Sequence, residues 1–99
     1  MSKDLPASLN LRVISPTDLL VDEEVLEVSL PGLDGYLGIL PGHRPLFVAR
    51  SHGLLAYKGT NKQDELPVQG GYAEVLPDRV LVFTEKAKDE KALPSERQG

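Results

Sequence analysis

The chemistry available to this chain starts with two histidines, His43 and His52, each beside a glycine in a turn. Neither belongs to a His-x-His or His-x-x-x-His pair, and no carboxylate stands at ligand spacing, so a zinc or iron centre is not expected. Asp22, Glu23, Glu24 and Glu27 form a carboxylate cluster. At strand spacing Glu23 and Glu27 share a face, yet nothing apolar isolates them to raise a pKa, and a solvated surface is the better reading. The glycines at 32, 35, 38 and 42 lack the Gly-Lys-Ser/Thr ending of a phosphate loop and sit among strands, without a helix dipole for a nucleotide phosphate. No serine or threonine occupies a nucleophile elbow. A small hydrolase built on His43 and Asp34 would lack both nucleophile and pocket. The residues offer no catalytic site and call for no cofactor.

Composition narrows the classes further. Ninety-nine residues make one small domain without cysteine, so neither disulfides nor thiolate metal sites hold it, and packing must. Fifteen acidic against eleven basic residues give a net charge of −4 with no basic stripe. A phosphate backbone would be repelled, which argues against nucleic acid as a partner. No apolar run reaches the ~18–20 residues needed to cross a bilayer, so direct membrane insertion is not expected. The opening Met1-Ser2-Lys3-Asp4-Leu5-Pro6 lacks the apolar region of a signal peptide. The expectation is a soluble protein that stays where it is made.

The elements that position these groups centre on Gly35 to Phe47. Leu37, Ile39 and Leu40 read as a short buried strand, and Pro41-Gly42 then turns the chain. Arg44 precedes Pro45 and is pushed toward an extended backbone. Gly42, His43 and Arg44 thus sit on a rigid ledge. Before it, Leu9, Leu11 and Val13 alternate with polar residues, as do Leu26, Val28 and Leu30. Leu19-Leu20-Val21 is a short apolar run that Asp22-Glu23-Glu24 ends with charge. After the ledge come Leu46 to Ala49, Leu54 to Tyr57, a polar hairpin tip at Lys58 to Lys62, and Leu66-Pro67-Val68, whose proline points to an edge. Gly70-Gly71 marks a bulge or tight crossing, and Tyr72 to Leu76 with Val80 to Phe83 forms a last hairpin. Turns recur about every 8–10 residues, which predicts an all-β fold: a mostly antiparallel β-sandwich or flattened barrel of about 8–10 short strands. The domain is expected over residues 1–87, with 88–99 a charged, flexible tail.

Two strands, Leu46-Phe47-Val48-Ala49 and Val80-Leu81-Val82-Phe83, are apolar on both faces. Only one face of a sandwich strand turns inward, so these imply an outer surface that something covers.

The run Gly35-Tyr36-Leu37-Gly38-Ile39-Leu40-Pro41-Gly42-His43-Arg44-Pro45-Leu46 resembles the G-x-x-G-I-L-P-x-H-A-P-L signature of the epsilon subunits of F-type ATP synthases. Leu11-Arg12-Val13-Ile14-Ser15-Pro16 is similar to that family's opening strand and turn, Gly70-Gly71-Tyr72-Ala73-Glu74-Val75 to its Gly-Gly-aromatic-x-Glu-Val stretch, and Val80 to Ala87 to its closing strand. These separated segments, in order over residues 9 to 87, make the likeness specific.

The resemblance implies a non-catalytic rotor domain at the foot of the central stalk, gripping the gamma subunit and resting on the polar loops of the c-ring. There it would couple ion flow through the membrane ring to ATP synthesis, peripheral on the cytoplasmic face of a bacterial membrane as part of the whole ATP synthase. Carried over by position, the gamma contact falls on Ser15, Val48 and Gly53, and the ring contact on Leu33, Asp34, Tyr36 and His43. The family often has an acidic residue where Tyr36 stands, a charge that either Asp34 supplies here or the pairing lacks, and usually alanine in place of Arg44. Its members typically continue into a helical hairpin that brakes hydrolysis, which a chain ending at Gly99 is expected to lack unless it is a piece of a longer protein. A free-standing β-sandwich adaptor on the same scaffold is the alternative, and predicts a monomer indifferent to gamma.

Overall fold

The structure, a computed structural model, describes residues 6–49 and 51–87. It contains ten strands and, among the described residues, no helix. In chain order they are β1 (Leu9–Ile14), β2 (Leu19–Val25), β3 (Glu27–Gly32), β4 (Gly35–Ile39), β5 (Leu46–Ala49), β6 (Gly53–Lys58), β7 (Gln63–Gln69), β8 (Tyr72–Leu76), β9 (Arg79–Phe83) and β10 (Lys86–Ala87). They form two five-stranded sheets, β2-β1-β9-β8-β5 and β10-β7-β6-β3-β4. Every pairing is antiparallel except β1 with β9, which runs parallel. The sandwich expected from the strand spacing is therefore present. The tail expected at 88–99 lies outside the described residues.

Period-2 alternation decides which side chains meet between the sheets. Leu9, Leu11 and Val13 of β1 are fully buried, and they face a core that includes Leu30, Ile39 and Leu55 from the opposite sheet. Each such side chain contributes about 1.5–3 kcal/mol through the water it sheds.

Three local readings are corrected by this arrangement. The charged triplet Asp22-Glu23-Glu24 does not end its strand, because β2 runs on to Val25 in register with Leu9. Its carboxylates are accommodated: Asp22 lies 3.6 Å from Arg12 Nε, Asn10 Nδ2 donates to Glu24, and Lys62 Nζ donates to both Glu23 oxygens at 2.9 Å. Glu23 and Glu27 do not share a face, since the chain changes sheets at Leu26, whose N–H donates to Lys58 O. Leu40 is 58% exposed, because β4 stops at Ile39 and Leu40 opens the next turn.

β7 is second from the edge, but among the described residues β10 pairs only with Val68 and Gln69, so Pro67 faces no ladder partner on that side. Gly70-Gly71 is a tight crossing. There the chain passes from one sheet to the other, and Thr84 binds the two passages: Gln69 N–H donates to Thr84 Oγ1 at 2.9 Å, and that hydroxyl donates back to Gln69 O at 3.2 Å.

Tyr57 is the one phenol in the core. Burial, and then the nearby charges of Glu23 and Asp64, hold its pKa above the ordinary 10.0 despite the opposing Lys62. A raised folded-state pKa means this contribution is intact below the unfolded value and is lost as pH climbs through the folded one. The melting temperature should hold to about pH 10 and then fall, and the fall should be shallower in Tyr57→Phe. Lys62, raised by its bond to Glu23, titrates in the same direction and remains in that variant, so the difference between the two curves reports the phenol together with its coupling to Lys62.

Candidate partner-binding faces

The β3–β4 hairpin carries Leu33 and Asp34 at its two-residue tip, between the paired Gly32 and Gly35. Leu33 is 69% exposed and Asp34 is exposed beside it. Tyr36 does not project from this tip. Its side chain reaches across β3 to β6, where its hydroxyl accepts the Leu54 N–H at 3.2 Å. The hydroxyl stands 2.7 Å from where a Cβ on Gly53 would lie, so Gly53 leaves the space that Tyr36 occupies. Val48 reaches the same corner, with its Cγ1 3.7 Å from the Cβ position of Gly32. Ser51 N–H donates to Pro31 O at 3.3 Å and ties the loop before β6 to the hairpin.

Leu33, Asp34, Tyr36, Val48 and Gly53 are therefore brought to one corner, although the sequence reading divided them between two partners. His43 is not with them. It follows the far end of β4, on a turn closed by His43 N–H to Leu40 O at 3.1 Å and tied to the β8–β9 turn by Gly42 N–H to Pro77 O at 2.8 Å. The length of β4, at ~3.3 Å per residue, separates it from Asp34. Its Nδ1 donates to Arg44 O at 2.7 Å, so the ring braces its own ledge. These bonds tie the ledge to β4 and to the β8–β9 turn. Ser15 lies at the end of β1, buried, and its hydroxyl accepts the N–H groups of Thr17 and Asp18. That hydroxyl is spent on the turn.

An aromatic surface lies elsewhere, on the outer face of the β2-β1-β9-β8-β5 sheet. Ile14, Phe83, Tyr72 and Ala49 stand in register on four adjacent strands. Phe47 stacks on Tyr72 with ring centroids 5.0 Å apart, and Tyr72 meets Phe83 at 4.8 Å. Phe47 is 66% and Tyr72 41% exposed. The row crosses the strands over roughly 14 Å at ~4.8 Å per strand. Site assignment by sequence missed these residues, though the doubly apolar runs of β5 and β9 were the signal. Among the described residues no cluster of His, Asp and Glu could hold a metal ion.

The family model described as "ATP synthase, Delta/Epsilon chain, beta-sandwich domain" matches residues 8–90. The chain belongs to this family. Among its relatives, the ATP synthase epsilon chain of Lawsonia intracellularis is 44% identical over 81 residues, 82% of this chain and 61% of that protein. The epsilon chain of Solibacter usitatus is 39% identical over 93 residues, 94% and 69% of the two chains. This member of the delta/epsilon family thus spans about three-fifths to two-thirds of those relatives' length. Its fold is shared with a chain in the Euglena gracilis mitochondrial ATP synthase structure of OSCP, F1 and c-ring (TM-score 0.79, 24% identity, 90% of this chain and 57% of that one). It is shared too with a chain in the central stalk/c-ring structure of Tetrahymena thermophila mitochondrial ATP synthase (TM-score 0.70, 12% identity, 92% and 73%).

Proposed function

We propose that this chain is the epsilon subunit of a rotary ATP synthase, a non-catalytic part of the central stalk that couples ion movement through the c-ring to ATP synthesis or hydrolysis in the catalytic head. The match of residues 8–90 to the family's β-sandwich domain carries the reading, and relatives named ATP synthase epsilon chain favour it over a free-standing adaptor. The geometry adds a face suited to docking. An aromatic row left open to water is the kind of surface that stable protein contacts use as an anchor. The gamma subunit takes this face together with the neighbouring corner at Val48 and Gly53, while Ser15 holds the turn at the row's other end.

The c-ring loops meet the opposite kind of surface: an exposed hairpin tip with Leu33 and the acid of Asp34, backed by Tyr36. With Tyr36 folded onto Gly53, Asp34 is the carboxylate placed to face a basic ring loop. His43, at the other end of β4, would meet a different loop from the one that Asp34 meets. The subunit sits peripherally on the cytoplasmic face of a bacterial membrane and holds no cofactor of its own. Co-elution with purified gamma subunit on a sizing column at micromolar concentration is the expected result. Separate elution of the two would overturn the proposal.

A further inference from the structure

Glu74 is placed where an exposed carboxylate gains nothing from its own fold. It stands on β8 with its side chain on the outer face, between the buried Ala73 and Val75. Its register partners are Phe47 on β5 and Leu81 on β9, and its same-face neighbours along β8 are Tyr72 and Leu76. All four are apolar. Directly opposed residues on one face are the ones whose side chains touch, so Glu74 is ringed by hydrocarbon and aromatic surface.

Among the described residues, Arg12 and Arg79 are the arginines on this face, and each has a carboxylate partner of its own. Arg12 Nε lies 3.6 Å from Asp22 and Arg79 Nε 3.2 Å from Asp78. Arg12 shares a cross-strand row with Glu74, but Leu81 stands between them. Among the described residues none forms a salt bridge with Glu74.

We propose that Glu74 is the charged specificity contact of the aromatic face, and that the partner segment seated there presents a lysine or arginine to it within an otherwise apolar ridge. The argument is one of desolvation. Covering Phe47, Tyr72 and Leu81 strips water from the carboxylate in their midst, and a carboxylate left dry and unpaired would oppose docking strongly. A cation from the partner removes that penalty and fixes the register of the ridge, since a shifted ridge would leave both charges unpaired. The proposal deepens the stalk reading and rests on it.

The test uses the full chain with purified gamma subunit, measured by titration calorimetry, and the Glu74→Gln and Glu74→Lys variants. Glu74 is exposed in mid-strand, so both variants should melt close to the wild type. Glu74→Gln should bind about tenfold more weakly, and Glu74→Lys about a hundredfold, because reversal sets like charges against each other. Replacing the lysines and arginines of gamma by glutamate one at a time should yield one variant that recovers at least tenfold of the affinity of Glu74→Lys. If both Glu74 variants bind within about twofold of wild type, or more tightly, Glu74 is only a guard against aggregation of an apolar face, and the proposal falls while the stalk reading stands. Failure of every reversal in gamma to restore binding also overturns it. If the wild-type chain does not bind gamma, both fall together.

Discussion

Gly71→Val should leave this protein without a cooperative thermal transition. A Cβ at Gly71 would run into the carbonyl oxygen of Phe83, and it would come within 2.9 Å of the Phe83 carbonyl carbon and 3.3 Å of Thr84 Cα. These are backbone atoms of the neighbouring passage, and no rotamer change moves them aside. Gly71 also holds φ at +81°, a conformation that a β-branched side chain strongly disfavours. Relief would require the start of β8 to leave the end of β9. That would break the exchange between Gln69 and Thr84 and uncover Ala73 and Val82, both fully buried. Strain, lost hydrogen bonds and lost burial together should exceed ~4 kcal/mol, a large share of the 5–15 kcal/mol that a domain of this kind possesses. Gly38→Ala is the matched control. Nothing stands within 4 Å of its Cβ position, so its midpoint in urea should shift by less than ~1 kcal/mol equivalent. A folded Gly71→Val protein with a wild-type melting curve would show that the crossing is looser than the geometry implies.

Phe47→Asp should separate folding from docking. Phe47 is two-thirds exposed, and its ring is held mainly by the stack on Tyr72. Losing that stack costs the isolated chain about 0.5–1.5 kcal/mol. In complex with gamma the same change removes an aromatic anchor from the β5 side of the face and places a second carboxylate directly across from Glu74. Truncating such an anchor typically costs 2 kcal/mol or more, and burying an unpaired charge adds to that. Affinity for gamma should therefore fall at least thirtyfold, about 2 kcal/mol, while far-UV circular dichroism stays that of the wild type. Equal affinity for the variant would place the gamma contact on another face.

The sheets were legible because alternation is written residue by residue in Leu9-Asn10-Leu11-Arg12-Val13 and Leu26-Glu27-Val28-Ser29-Leu30, and turns punctuate both. The charge triplet of β2 misled because its salvation is non-local: Arg12 and Lys62 reach it from other strands, and no window around residue 23 contains them. The sheet change at Leu26 was hidden for the same reason, since a hydrogen bond to Lys58 marks it. The docking face was half legible. Two runs, Leu46 to Ala49 and Val80 to Phe83, announced apolar residues on both sides, but only register shows that Phe47, Tyr72, Phe83 and Ile14 stand together. Tyr36 shows the limit of transferring a position. The backbone slot is the family's, yet the ring reaches over to Gly53 and leaves the hairpin tip to Leu33 and Asp34.

The central claim is that the outer face bearing Phe47, Tyr72 and Phe83 is covered in the working assembly and open in the free chain. Carbene footprinting of the isolated protein and of the intact ATP synthase, read at these three aromatics and at Leu26 as an exposed reference, addresses it directly. The account predicts heavy labelling of Phe47 and Tyr72 in the free chain and several-fold protection of both, and of Phe83, on assembly. Labelling that is unchanged between the two states would contradict it.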